Sequence, residues 1–151
     1  MKNDVYFMRF ALEQAKLAYQ KTEVPIGCVI VHNNRIIAKA YNLRETKKDP
    51  LAHAELIAIK KAARRLRGWR LPGCTLYVTL EPCPMCAGAI INARIPRVVF
   101  GAYDPKAGCF GSLHDFTKSG FNHKPEITAG VMVEECATLL KDFFKSKRQG
   151  G

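Results

Sequence analysis

Two short strings in this chain hold residue types that do chemistry together. His53-Ala54-Glu55 offers an imidazole and a carboxylate, and Pro82-Cys83-Pro84-Met85-Cys86 offers two thiols. One imidazole and two thiols suit a catalytic zinc site. Three protein ligands leave the fourth tetrahedral position to water, whereas a structural site closes with four. Cys83 and Cys86 are three apart, so on a first helical turn they share a face and chelate one ion. A helix N-terminus also favours their thiolate forms. His53 and Glu55 are two apart, a spacing that diverges in mid-helix. Both lean toward a common point only if Ala52 or His53 begins the helix.

Such a centre lowers the pKa of its water toward about 7. Glu55 is placed to move protons from that water to a ring nitrogen and then to a leaving amine. General acid–base catalysis of this kind is worth about 10²- to 10⁴-fold. The natural electrophile is an amidine carbon bearing an exocyclic amine, so the reaction class is hydrolytic deamination of a nucleobase. Taken alone, C-x-x-C also fits a redox pair or half a zinc ribbon, and H-x-E signals almost nothing. The ordered combination is far more specific, with Cys83 thirty residues after His53 and a strand before it. A structural zinc would leave Glu55 beside the metal without a purpose.

These groups need elements that bring them together. Met8, Ala11, Ala15 and Ala18 fall on one face of a helix over residues 4 to 20. Pro25 to Val31 is a short run apolar on both faces, hence a buried strand. Asn33-Asn34 suits a tight turn, and Arg35 to Tyr41 is the hairpin partner. Asp49-Pro50 signals a helix start, with the helix running from about Ala52 to Leu66 and stopping at Gly68. Cys74 to Leu80 reads as a central strand, Cys83 to Asn92 as a helix, and Arg97 to Ala102 as a strand parallel to the first. Ser112 is placed to cap a short helical turn. Glu126 to Val131 is a weak strand, and Glu134 to Lys147 a last helix with Cys136, Leu140, Phe143 and Lys147 at helical spacing. Alternating strands and helices predict a three-layer α/β/α sandwich. In such sheets reactive groups gather beyond the carboxyl ends of strands. Both strings fall there.

The chain has 151 residues, 48% of them hydrophobic and 25% charged, which predicts one folded domain over residues 1–151. No apolar run reaches the roughly 20 residues a membrane span needs. Met1-Lys2-Asn3-Asp4 leads into an amphipathic segment, not a secretory signal, so the expected location is cytoplasmic. Cys28, Cys74 and Cys136 lie in apolar surroundings and read as reduced core thiols. Cys109 sits in a glycine-flanked loop. The formal net charge of +11 favours polyanionic partners, though a merely soluble basic surface gives the same count.

The strings that carry a family resemblance are Glu23-Val24-Pro25-Ile26-Gly27, Ala52-His53-Ala54-Glu55, the run from Leu76 to Gly88, Arg97-Val98-Val99-Phe100-Gly101-Ala102, Phe121-Asn122-His123 and Phe143-Phe144. With them the chain resembles the cytidine-deaminase-like superfamily, and within it the bacterial tRNA-specific adenosine deaminases. H-x-E followed by P-C-x-x-C is a known signature of zinc nucleobase deaminases. Free cytidine deaminases usually place Cys at the first ligand position, where this chain has His53. The resemblance implies a five-stranded mixed sheet, one Zn²⁺ per subunit held by His53, Cys83 and Cys86, and a homodimer with no membrane association. It implies conversion of the wobble adenosine (position 34) of an arginine tRNA anticodon to inosine. Asn42 would then contact the flipped nucleoside, and the Ala54 N–H and Glu55 would read the base. Asp104, Asn122 and His123 would line the path of the anticodon stem-loop, with Phe144 and Arg148 meeting its nucleotides. Phe110 and His114 depart from the smaller or apolar residues expected in that loop.

Phe143 and Phe144 cannot both face the core of a straight helix, so one is buried and the other is open to stacking. Lys60, Lys61, Arg64, Arg65, Arg67 and Arg70 form a basic run that reads as a solvated helix end more than as an RNA contact. Lys141, Lys145, Lys147 and Arg148 are better placed for RNA. Two other readings compete: a free-base or nucleotide deaminase of the guanine or deoxycytidylate type, and a zinc-stabilised RNA-binding module without turnover. The basic last helix with its paired Phe argues against the first, and Glu55 against the second.

Overall fold

The computed structural model describes residues 2–149. Among them, five strands form one sheet: β1 (Gly27–His32), β2 (Arg35–Tyr41), β3 (Cys74–Leu80), β4 (Arg97–Ala102) and β5 (Glu126–Thr128). The order is β2-β1-β3-β4-β5. β1 runs antiparallel to β2 and β3, while β3, β4 and β5 are parallel. Four α-helices accompany the sheet: α1 (Asp4–Gln20), α2 (Ala54–Leu66), α3 (Pro84–Asn92) and α4 (Val133–Gln149).

The alternation of side chains along β1 sets the layers. Cys28 and Ile30 point to one face, and Val29 and Val31 to the other, and all four are buried. The first pair joins Leu76, Val78, Ile90, Val98 and Phe100 beneath α2 and α3. The second pair joins Phe7, Met8, Ala11, Tyr77, Val99 and Cys136 beneath α1 and α4. The three-layer α/β/α sandwich and the mixed five-stranded sheet are therefore as expected. Each large apolar side chain withdrawn from water contributes about 1.5–3 kcal/mol, so both faces must be covered for the sheet to persist.

Local chemistry explains most boundaries. Asn33 and Asn34 both adopt positive φ (51° and 62°), the type I′ requirement of a two-residue hairpin. α3 crosses between the parallel strands β3 and β4, as the strand-helix-strand pattern demands. All six cysteines are free thiols, and Cys28, Cys74, Cys109 and Cys136 are buried.

Some expectations need correction. Asp49-Pro50 starts a turn, not the helix: Asp49 Oδ1 accepts the Leu51 N–H and its carbonyl accepts the Ala52 N–H, so α2 begins only at Ala54. α2 ends with Arg67, not Gly68, in the left-handed conformation, and the Gly68 N–H returns to the Ala63 carbonyl. Ser112 caps no helix; the short 3₁₀ turn Phe116–Lys118 is capped by Asp115. The weak strand ends at Thr128, just before Gly130 turns the chain with φ 79°.

Candidate active site

His53 is the N-cap of α2 and Cys83 the N-cap of α3, both with extended backbone (φ −76°, ψ 150° and φ −74°, ψ 174°). A capping residue stands half outside its helix, so its side chain can project past the end. Neither side chain hydrogen-bonds the helix it caps. Pro84 follows at the first position of α3, where its fixed φ suits the helix and its missing N–H costs nothing. Cys86 lies on that first turn and is fully buried.

These placements bring three donor atoms together. Among the described residues, His53, Cys83 and Cys86 form the group able to hold a metal, their donor atoms all within 4.8 Å of one another. His53 Nδ1 is 3.7 Å from Cys83 Sγ and 3.5 Å from Cys86 Sγ. A tetrahedral zinc with ordinary bond lengths would separate nitrogen and sulfur by about 3.6 Å. The residues therefore fit zinc in donor type, number and spacing.

Protonation points the same way. The Cys83 thiol is pulled down to about 4, chiefly by the hydrogen bond from Cys86 and then by that from His53. Cys86 is driven up in return, because it keeps the proton that the pair shares and because it is buried. The hydrogen bond to Cys83 raises His53 against the opposing effect of burial. A divalent cation would take the place of the shared proton, which is how metal binding couples to thiol ionisation.

Glu55, on the first turn of α2, is 4% exposed. Burial pushes its carboxyl up to about 7; the negative Cys83 adds to this, while its own backbone N–H, His53 and the Cys86 thiol oppose it. An acid that exchanges its proton near neutrality suits a proton carrier. Ala54 opens α2, so its N–H has no partner within the helix.

The remaining site candidates are distributed over three loops and α4. Asn42, buried at the end of β2, donates to the Val24 carbonyl and accepts the Arg44 N–H. Asp104 caps its own turn, accepting the Lys106 and Ala107 N–H groups. Asn122 is exposed, while His123 Nε2 donates to the Ile95 carbonyl at 2.6 Å. Phe144 and Arg148 line a groove of about 510 Å³ with Lys106, Leu140, Lys141 and Lys147. Phe110 departs from expectation because it is a core residue, 5% exposed and bridged to Asp115, whereas His114 stays on the surface.

Two buried carboxylates escaped the sequence reading. Glu23 accepts the Glu45 and Thr46 N–H groups; burial would raise its carboxyl, but these bonds outweigh it and hold it below its usual range. Glu81 accepts four hydrogen bonds from the loop after β4. Their signal was a charged residue within an apolar string, beside Val24-Pro25 and Pro82-Cys83. Lys106 had none, being one lysine in an irregular loop.

A His-Cys-Cys donor set able to hold zinc, a buried carboxyl on the same helix start as the histidine and an open α/β sheet together define a zinc-dependent deaminase. The chain belongs to the cytidine and deoxycytidylate deaminase zinc-binding region family, whose model matches residues 1–102. It is 51% identical to a tRNA-specific adenosine deaminase of Bacillus subtilis (strain 168), over 99% of this chain and 93% of that one. Its fold matches a structure from a study of A-to-I editing by tRNA:A34 deaminases with a TM-score of 0.84. There the identity is 44%, over 88% of this chain and 97% of the other. A guanine deaminase of Bacillus subtilis follows at a TM-score of 0.66 and 37% identity, over 80% of this chain and 71% of that structure.

Proposed function

We propose that this protein hydrolyses adenosine to inosine at the wobble position (34) of a tRNA anticodon, with an arginine tRNA as substrate. Water and adenosine are consumed, and inosine and ammonia are released. The observation that carries the reading is Glu55, buried on the same helix start as His53 and facing the Cys83–Cys86 pair. His53, Cys83 and Cys86 hold the zinc, which when bound polarises water for attack on the amidine carbon. Glu55 would take one proton from the attacking water and give it to the purine ring nitrogen, then take the second proton from the new C6 hydroxyl and give it to the departing amine, so that ammonia leaves as the C6 carbonyl forms. The Ala54 N–H, unpaired within α2, and Asn42 orient the base and its ribose. Buried against Cys86, Glu55 meets the substrate with bulk water excluded, which strengthens each of these contacts.

A substrate larger than a nucleoside fits the surface. Phe144 is exposed in a groove with four basic side chains, an aromatic-and-cation combination suited to an unstacked loop. Asp104, Asn122 and His123 lie on the loops that would flank the same strand. The active form is a homodimer in the cytoplasm. The exposed side of α2, with Leu51 half exposed beside Leu56 and Ile57, is the face a second copy would cover. Among the described residues no helix is long and apolar enough to cross a membrane.

The test is direct. A synthetic anticodon stem-loop with adenosine at the wobble position, free adenosine and free guanine are each incubated with the zinc-loaded protein. Inosine in the hairpin alone supports this reading. Turnover of guanine alone would assign the chain to the free-base deaminases, as its likeness to the guanine deaminase allows.

A further inference from the structure

Glu81 links the end of β3 to the metal-binding string, two residues before Cys83. It is 1% exposed. The ion pair found among the described residues joins Asp4 and Arg97, so no cation offsets this buried carboxylate. Four donors from one loop surround it instead. Oε1 accepts the Asp104 N–H at 3.1 Å and the Ser112 hydroxyl. Oε2 accepts the Phe110 and Ser112 N–H groups, each at 3.1 Å.

The loop is shaped to this carboxylate. A Cβ on Gly108 would lie 2.3 Å from Glu81 Cδ, so only glycine lets the backbone approach. Beside it, the Cys109 N–H donates to the Pro82 carbonyl at 3.0 Å, and the Glu81 N–H to the Ala102 carbonyl at 2.9 Å. The segment that places Cys83 is thus fastened at several points to residues 102–112. That same loop presents Lys106 to the groove containing Phe144 and Arg148.

We infer that Glu81 is a substrate-positioning residue: its carboxylate fixes the 103–112 loop, and Lys106 with it, relative to Cys83, without touching metal or reacting atoms. The reading of its kinetic effect rests on the tRNA assignment above. Irregular loops hold a fixed geometry only where their polar groups are tied down. A binding wall left mobile must be ordered by the substrate at the expense of affinity.

The test compares Glu81→Gln and Ser112→Ala with the parent protein. Glu81→Gln keeps the side chain's size but sets an NH₂ donor against the loop's donors. Ser112→Ala removes one contact at an exposed residue and leaves the buried packing intact. Three quantities are measured: zinc per chain, amide hydrogen exchange at Asp104, Phe110 and Ser112, and kcat and KM on the anticodon hairpin. Both variants should keep about one zinc per chain. Exchange at the three amides should quicken about tenfold or more in Glu81→Gln and about threefold in Ser112→Ala. KM should rise by similar factors with kcat within about threefold of the parent. Unchanged exchange in both variants overturns the inference, as does zinc loss in step with activity, or a fall in kcat at constant KM. If Glu81→Gln does not fold, Ser112→Ala decides alone. If the parent makes no inosine, the tRNA reading fails while the exchange data still settle whether Glu81 fixes the loop.

Discussion

Arg97, at the start of β4, grips Asp4, on the first turn of α1, through both terminal guanidinium nitrogens at 2.8 and 2.6 Å. Tyr77 donates its hydroxyl to the same carboxylate at 2.8 Å, and Arg97 also reaches Thr128. One carboxylate thereby joins α1 to the three parallel strands. These contacts, that from Arg97 foremost, hold the Asp4 carboxyl below its usual range. A depressed folded-state pKa means that the unfolded chain binds a proton first as pH falls. The contribution is fully present above about pH 4, the unfolded value, and is lost as pH drops through the lower folded value. Asp4→Asn should therefore cost about 1 kcal/mol at pH 7, a modest figure because the pair is partly exposed. The difference should shrink toward zero as pH falls below the unfolded value and through the lower folded one. Urea unfolding of both proteins across that range measures it, and a gap that stays constant with pH refutes the account.

Gly27 lets β1 lie directly against the backbone of α1. A Cβ there would lie 2.0 Å from the Ala11 carbonyl oxygen and 2.4 Å from the Ala15 nitrogen. Both are backbone atoms, so no side chain can swing away. Gly27→Ala should separate β1 from α1 and cost about 3 kcal/mol or more. A thermal melt decides it: a midpoint within a few degrees of the parent would show that α1 shifts without penalty.

Glu55 and Cys83 should fail in different ways. In the proposed mechanism Glu55 carries protons and does not hold the metal, so Glu55→Gln should keep stoichiometric zinc and lose about 10²- to 10⁴-fold in kcat. Cys83→Ser removes one of three ligands and should lose both the metal and the activity. Metal analysis alongside an inosine assay separates the two. A Glu55→Gln protein with full activity would remove the proton-transfer role.

Most of this centre is legible in the sequence because its geometry is local. N-cap positions place His53 and Cys83, and one helical turn relates Cys83 to Cys86, so residue spacing alone carries the information. Likewise the two-sided burial of β1 follows from an unbroken apolar run, and the hairpin from Asn33-Asn34. Where the sequence misled, a nearby polar group competed with the expected pattern. Asp49 bonds the backbone just ahead of it and delays α2 to Ala54. Ser112, placed to cap a helix, is captured by Glu81 from 31 residues away. Glu81 and Glu23 were silent because a carboxylate held by loop N–H groups leaves no periodicity in the sequence to mark it.

Phe143 and Phe144 are adjacent yet differ in environment, at 4% and 45% exposed. Phe143 packs edge-on against Tyr19 of α1, with ring centroids 5.5 Å apart, and so anchors α4. Phe144 points into the groove with Arg148. Phe144→Ala should leave the melting temperature nearly unchanged. Stacking of one base is worth about 1–3 kcal/mol, so KM for the anticodon hairpin should rise about 5- to 150-fold. Arg148→Ala should weaken binding less at high salt than at low, because a lost phosphate contact reduces the salt slope by about one. Phe143→Ala should show the reverse pattern, lowering the melting temperature by loosening α4 from α1. Equal effects of the two Phe substitutions on stability, with neither altering KM, would show that the α4 groove does not meet RNA.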